Sequence, residues 1–504
     1  MSTYATVIEL GGARFAMLSG PIVEQGKGWA VLPGGPVALL HSFGVTEFYR
    51  HGWNSWSPTG WRRLDERPLR VEDNPQRLLT ADDAATDSPH EHAGSAIGAL
   101  TGPDGHVLLL GALGLGSPRV TATTSALTGT VDDDEADAGW FLAYGEEAEV
   151  FSSYADRLAQ HLGSRRSQAG AVWCSWYSCY DDVSQERIAR IVDGLRSMPF
   201  DVVQIDDGWE RSVGDWEANE RFPDGMAAMA ERIRSAGFRP GLWLAPLIAL
   251  PDSSFARERP DLLVHDEAGA PIPSGYNWGG PYYSLDTTQP EVQTHLRELF
   301  TRIVGWGYTY LKLDFMYAGA IEGHRSSAVH RERAYRDALA LIRETVGDEV
   351  YLLGCGVPIL PSVGLLDGAR VGPDVAAFWD NLERPGDPSG PGAKNALVAS
   401  LNRFWLGRLF QADPDVAYAR SRRSLLDDAQ RAILRDLAAV LGFKSTSDPV
   451  AWLDEHEADE FARWLRLSET VRRTGRYTFE IDGRAVDFEP FIHGTAMSFA
   501  TTVN

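Results

Sequence analysis

Carboxylates close a succession of short apolar runs in this chain, two of them beside a basic residue. Asp206 and Asp207 end the run in QIDDGW (204–209), Lys312 and Asp314 share YLKLDF (310–315), and Arg370 and Asp374 flank Gly372 and Pro373 in GARVGPD (368–374). Residues two apart on a strand project to the same side, so Lys312 and Asp314 are expected to meet one ligand. A neighbouring ammonium favours the ionised carboxylate, which suits Asp314 to nucleophilic work; the plain alternative is a structural ion pair at a rim. Adjacent Asp206 and Asp207 can face one ligand if the strand ends between them, as Gly208 permits, and could then accept hydrogen bonds from two hydroxyls. Gly372 and Pro373 forbid a continuous helix, which puts Arg370 on a strand and Asp374 on the loop beyond. Apolar neighbours (Val375, Phe378, Trp379) would raise the Asp374 pKa towards that of a general acid, while Arg370 would pull it down. Two carboxylates on separate strand ends suit glycoside hydrolysis, one as nucleophile and one as acid then base.

The elements that must position these groups read as parallel βα units from residue 171 onward, apolar runs alternating with helical periodicity. AVWCSWY precedes a helix over Gln185 to Met198, DVVQID one over Gly225 to Ser235, GLWLAP one over Glu291 to Val304, and YLKLDF one over Arg331 to Thr345. VYLLGC and GARVG follow, then a helix from Asn395 to Trp405; the last strands are expected near Leu409 and Phe443, with helices over Ala429 to Leu441 and Glu455 to Val471. Eight strand candidates favour a closed (β/α)8 barrel over an open doubly wound sheet, and no glycine-rich nucleotide fingerprint opens a helix. Barrels carry their chemistry at the carboxyl ends of the strands, where Trp176, Tyr177, Trp243 and Cys355 join the carboxylates, with Asp413, Asp415 and Asp448 on the last two ends. Upstream, alternating runs such as ARFAML, GWAVLP and WFLAYG predict a β-sandwich, and RYTFEIDGRAVDFEPF predicts a hairpin turning at Asp482 and Gly483. The expected division is a sandwich over 1–165, a barrel over 166–473 and a small β region over 474–504.

Composition excludes other classes. The 504 residues carry a formal charge of −23, which repels phosphate backbones and anionic membranes. The longest apolar runs reach ten residues, short of the roughly 20 that span a bilayer. Three cysteines make no pairwise framework, and the amino terminus lacks a basic region followed by a long apolar stretch, so a cytoplasmic home is expected. Cys174 and Cys179 form a lone C-x4-C and should simply pack; His90 and His92 in PHEHAG read as solvated loop side chains, and the acidic run 132–137 as a solvated loop. No metal or cofactor is expected, and no G-x-S-x-G supports an esterase. The 16 tryptophans hint at sugar, whose apolar ring faces stack on indole.

The ordered motifs WNSWSP (53–58), WCSWY (173–177), QIDDGW, WLAP (243–246), YLKLDF, LLGCG (352–356) and LDGARVGPD (366–374) resemble those of glycoside hydrolase family 36, the melibiase-type α-galactosidases. The resemblance covers most of the chain. It implies a sandwich, a (β/α)8 barrel and a C-terminal β domain, with retaining removal of terminal α-linked galactose from oligosaccharides such as melibiose or raffinose. By resemblance, Asp314 matches the nucleophile, Asp374 the acid/base, and Asp206 and Asp207 the pair that binds O4 and O6. Lys312, Cys355 and Arg370 match the ligands of the remaining hydroxyls, and Trp176, Tyr177 and Trp243 the walls. Trp56, with Trp53 as the alternative, matches a tryptophan lent by the sandwich. An α-N-acetylgalactosaminidase, a galactosyl-transferring relative and a non-catalytic sugar-binding homologue stand as alternatives; the presence of both Asp314 and Asp374 favours catalysis. The C-terminal region is short for that family, and a homo-oligomer is compatible with these features.

Overall fold

The computed structural model describes residues 4–69, 88, 90–132, 139–383 and 387–493. Alternation in ARFAMLS buries Phe15, Met17 and Ser19 on one face of the strand Ala13–Ser19. Among the described residues the amino-terminal part forms two antiparallel sheets, one of six and one of seven strands, enclosing Leu39, Leu100, Leu108, Leu110 and Trp140. The last of these strands is Trp140–Gly145; the helix Glu147–Leu162 follows, inside the span read as sandwich. Its Val150, Phe151 and Tyr154 pack inward, and Tyr154 Oη donates to Ala112 O at 2.8 Å. His92 departs from expectation: it lies on the strand His92–Ser95, buried, with Nε2 3.2 Å from Glu66 O. Of the acidic run, residues 133–137 lie outside the described residues.

Eight parallel strands follow among the described residues: β1 Val172–Cys174, β2 Val202–Ile205, β3 Arg239–Leu244, β4 Tyr310–Leu313, β5 Tyr351–Gly354, β6 Gly368–Arg370, β7 Gln411–Asp413 and β8 Ser445–Thr446. They pair in the order β7-β6-β5-β4-β3-β2-β1-β8, a curled sheet of the (β/α)8 type. At the seam between β7 and β8, Ala417 N–H donates to Ser445 O at 2.9 Å and Ser445 Oγ to Asp415 O at 2.9 Å. The last two strands start two residues beyond the expected Leu409 and Phe443. The Leu409 N–H is taken by Leu406 O at 2.8 Å and the Phe443 N–H by Ala438 O at 3.1 Å, so both residues still close helical turns.

Helices Gly225–Ser235, Pro290–Gly305, Arg331–Val346 and Asp428–Leu441 follow the apolar periodicity closely. Others end early. The first, Gln185–Leu195, stops short of Met198, and Ala393–Asn402 gives way to a 3₁₀ turn over Phe404–Arg408. Glu455–Arg466 stops because Leu467 turns extended (φ −69°, ψ 140°), and Val471 starts a strand instead of ending the helix. The carboxyl-terminal β part therefore has three strands among the described residues: Val471–Arg473, Thr478–Ile481 and Arg484–Asp487. Its tight turn is the Asp-Gly pair, Asp482 at φ 50° and Gly483 at φ 80°, the left-handed conformation a two-residue hairpin loop requires. Among the described residues no helix is long and apolar enough to cross a membrane.

Candidate active site

Register sets the floor of the cup: Trp243 on β3 and Lys312 on β4 are directly paired. The Lys312 ammonium lies 2.9 Å from Asp206 Oδ2 and 4.0 Å from Asp314 Oδ2, so the i, i+2 pair does point one way. Asp206 also accepts from Gln204 Nε2 at 2.7 Å, from the Cys174 thiol at 3.3 Å and, on Oδ1, from the Asp207 N–H at 3.0 Å. Burial alone would raise the Asp206 carboxyl, but the Lys312 charge and these donors outweigh it and hold the group below its ordinary value. β2 ends at Ile205, so both aspartates lie beyond the strand and are not divided by its end. Gly208, at φ 104°, makes the bend; a Cβ there would press on Asp181 O at 2.9 Å.

Asp207 accepts from Trp278 Nε1 at 2.9 Å. Burial pushes its carboxyl up, and burial together with the Asp207 charge and the hydrogen bond between the two side chains pushes Glu210 well above the usual range. Sequence reasoning missed both partners. Trp278 sits at φ 49° in the turn between Pro273–Asn277 and Gly280–Ser284, within the long loop after β3; the readable signals were Asn277-Trp278-Gly279-Gly280 and a third carboxyl three residues past Asp207.

Asp314 accepts from Trp243 Nε1 on Oδ2 at 3.0 Å and from the Phe315 N–H on Oδ1 at 2.8 Å. Phe315 is left-handed (φ 53°), and its ring lies edge-on to Trp56 with centroids 5.2 Å apart. Cys355, just past β5, is buried, and burial followed by the Asp314 charge pushes its thiol well up. Across the cup, Arg370 at the end of β6 donates from Nη1 to Asp374 Oδ1 at 3.1 Å and to Asp415 Oδ2 at 2.8 Å, and from Nε to Asp413 Oδ2 at 3.3 Å. The Asp374 side chain is 40% exposed, yet protein surrounds it closely enough that burial leads and its carboxyl is raised. Arg370 and Lys312 pull it down; Asp314 and Asp206 push it up.

The aromatic residues divide into two kinds. Trp243 and Tyr177 are buried and serve as donors, Tyr177 Oη to Asp415 Oδ2, and offer little open face. Trp176, Trp278 and Trp56 stay half-buried. Trp56 arrives on the sandwich loop 52–57, where Ser55 N–H donates to Val357 O at 3.1 Å. Arg403, wholly buried, clamps that loop: its guanidinium donates to Ser55 O (2.7 Å), Asn54 O (2.7 Å), Gly52 O (3.2 Å) and Ser57 O (3.2 Å), and to Val371 O (2.9 Å) just past β6. Burial lowers the Arg403 pKa to about 10. Trp53 turns inward and packs edge-on to Tyr317 at 6.4 Å. The structure thus gathers Asp206, Asp207, Lys312, Asp314, Arg370 and Asp374, with Tyr177, Trp243 and Cys355, around one cup and sets Trp56 beside Phe315, whereas Trp176, in the turn after β1, packs edge-on to Tyr180 at 5.3 Å.

Residues 147–347 match the Melibiase family model, a stretch that includes Asp206, Lys312 and Asp314 and stops short of Cys355, Arg370 and Asp374. A solved structure of an α-galactosidase from Thermus thermophilus, in complex with p-nitrophenyl α-D-galactopyranoside, is 42% identical over 97% of this chain and 100% of its own, with a TM-score of 0.90. The chain belongs to the melibiase family, glycoside hydrolase family 36. The same Thermus protein in complex with stachyose superposes on this family 36 chain with a TM-score of 0.86, at 43% identity over 92% of this chain and 99% of that one. Among curated relatives, α-galactosidase AgaA from Geobacillus stearothermophilus is 30% identical over 211 residues, which is 39% of this family 36 chain and 27% of AgaA's length.

Proposed function

We propose that the protein is a retaining exo-α-galactosidase, with Asp314 as nucleophile and Asp374 as acid then base. The observation that carries this reading is the unlike setting of the two carboxyls: Asp314 takes two N–H donors with an ammonium 4.0 Å away, whereas Asp374, with a half-exposed side chain, meets Arg370 Nη1 at 3.1 Å and its carboxyl is raised. In the first step Asp314 attacks the anomeric carbon, the bond to the leaving oxygen breaks, and that oxygen takes the Asp374 proton. In the second, Asp374 removes a proton from water, whose oxygen attacks the anomeric carbon and releases Asp314; two inversions retain the α configuration. Asp206 and Asp207 supply acceptors suited to O4 and O6, and Lys312 and Arg370 supply donors for the other hydroxyls. Nitrophenyl galactoside and stachyose bound by the Thermus relative support a neutral oligosaccharide ending in α-galactose as substrate. Three buried free thiols support a reducing, cytoplasmic setting.

The test is a panel of aryl glycosides. The α-galactoside should be cleaved and the α-glucoside, β-galactoside and α-N-acetylgalactosaminide should not; equal cleavage of the glucoside overturns the role of Asp206 and Asp207. Asp314→Gly should lose activity that azide restores with β-galactosyl azide as product, and an α-azide refutes a covalent intermediate there.

A further inference from the structure

Asp415 has four hydrogen-bond donors on its carboxylate and no place in the mechanism above. It lies two residues past β7, buried, at φ 79°, a left-handed conformation costing a non-glycine residue about 1 kcal/mol or more. Its Oδ2 accepts from Tyr177 Oη, from Arg370 Nη1 at 2.8 Å and from the Val375 N–H at 2.9 Å; its Oδ1 accepts from the Val416 N–H at 2.8 Å. Two of these bonds bear directly on Asp374. Val375 is the next residue along the chain, and the same Nη1 makes the longer, 3.1 Å contact with Asp374 Oδ1.

We propose that Asp415 is a positioning residue that anchors the Asp374–Val375 peptide and draws the Arg370 guanidinium away from Asp374, so that Asp374 enters the reaction as an acid. The inference rests on the acid/base reading of Asp374. The groups facing Asp415 are Arg370 from β6, Asp374 from the loop after it, Asp413 from β7, Tyr177 from the turn after β1, Tyr418 beyond β7, and Cys174 from β1. Burial leads in raising Asp415 to about 7; Arg370 and the Tyr177 hydroxyl oppose it, and Asp374 and Asp413 add to it. Asp374 and Asp415 therefore titrate as a pair, each carboxylate making the other harder to ionise. Neutralising Asp415 removes that repulsion and leaves more of the Arg370 charge to Asp374, both of which favour loss of the Asp374 proton.

Asp415→Asn keeps the size and an oxygen for the Val375 N–H. The alkaline limb of kcat/KM reports the acid and should move down by about one pH unit or more. At pH 7 cleavage of melibiose, whose leaving group needs a proton, should fall about tenfold or more, and cleavage of p-nitrophenyl α-galactoside, whose leaving group does not, by less than about threefold. Equal losses on both substrates with the limb unmoved mean a structural anchor only and overturn the proposal. If Asp415→Asn does not fold, Tyr177→Phe, which removes one donor, should move the limb the same way by a smaller amount; an unmoved limb there is equally decisive. A wild-type protein that cleaves neither substrate instead overturns the α-galactosidase reading itself.

Discussion

Gly356 lies beneath the indole of Trp56, and the substitution Gly356→Ala measures what that wall contributes. A Cβ there would stand 3.0 Å from Cζ2 and Cη2 of Trp56 and 3.4 Å from Cε2, where ordinary contact lies at 3.4–4 Å. The indole must therefore yield by a few tenths of an ångström. It has little room: Phe315 and Tyr317 press edge-on at 5.2 and 5.8 Å, and Arg403 fixes the loop behind it. Gly356 also sits at φ 58°, so alanine adds about 1–2 kcal/mol of backbone strain. Misplacement by 1 Å near a reacting centre can cost about 10²-fold, so a shift of roughly half that should lower kcat/KM on an aryl α-galactoside about tenfold. Gly347→Ala is the control, because Gly347 is at φ 76° with nothing within 4 Å of a Cβ. Urea unfolding should show similar losses of stability for both variants, and initial rates should separate them. If Gly356→Ala keeps wild-type kcat/KM, the indole does not shape the ligand's site and the reasoning fails.

Lys312→Met strands the Asp206 carboxylate; breaking a buried pair this way costs about 3–5 kcal/mol. Asp206 sits below its ordinary value in the fold, so the wild-type advantage is full above the unfolded carboxylate range and fades as pH falls through the folded value. Urea unfolding at pH 7 and pH 3 should show the gap narrowing, and a loss under about 1 kcal/mol at pH 7 refutes the pairing. Glu210→Gln tests the opposite sign. Glu210 is raised in the fold, so wild-type stability declines as pH climbs from the unfolded glutamate value towards the folded one. An amide can still donate to Asp207 and has no proton to lose, so the variant should flatten that decline between pH 5 and pH 8; an unchanged slope argues that Glu210 is ionised.

What was legible follows from the length of the local pattern. Lys312 and Asp314 could be read because the two-residue period of β4 carries into the residue just past its end, and Arg370 with Asp374 because Gly372-Pro373 ends any regular element between them. β7 and β8 slipped by two residues because strands of three and two residues carry no periodicity to read. His92 looked solvated among polar neighbours, yet the strand it joins buries it. Trp278 reaches Asp207 through a 71-residue chain separation that no local rule encodes. Glu210, Asp415 and Arg403 owe their roles to burial and partners that exist only in the fold. Spacing led to the proposal of a sugar-cleaving pair of carboxylates, and the choice of galactose came from family resemblance.

The Arg403 clamp bears on how this cup can discriminate. A guanidinium sealed from water among carbonyl oxygens is stable only while those oxygens stay in place, since stranding a buried charge costs several kcal/mol. Withdrawing the Trp56 loop would leave that cation facing a gap, so the indole acts as masonry and not as a door. For the proposed galactosidase, discrimination among sugars would then fall to a fixed outline, and altering ligand preference would mean recutting the wall itself.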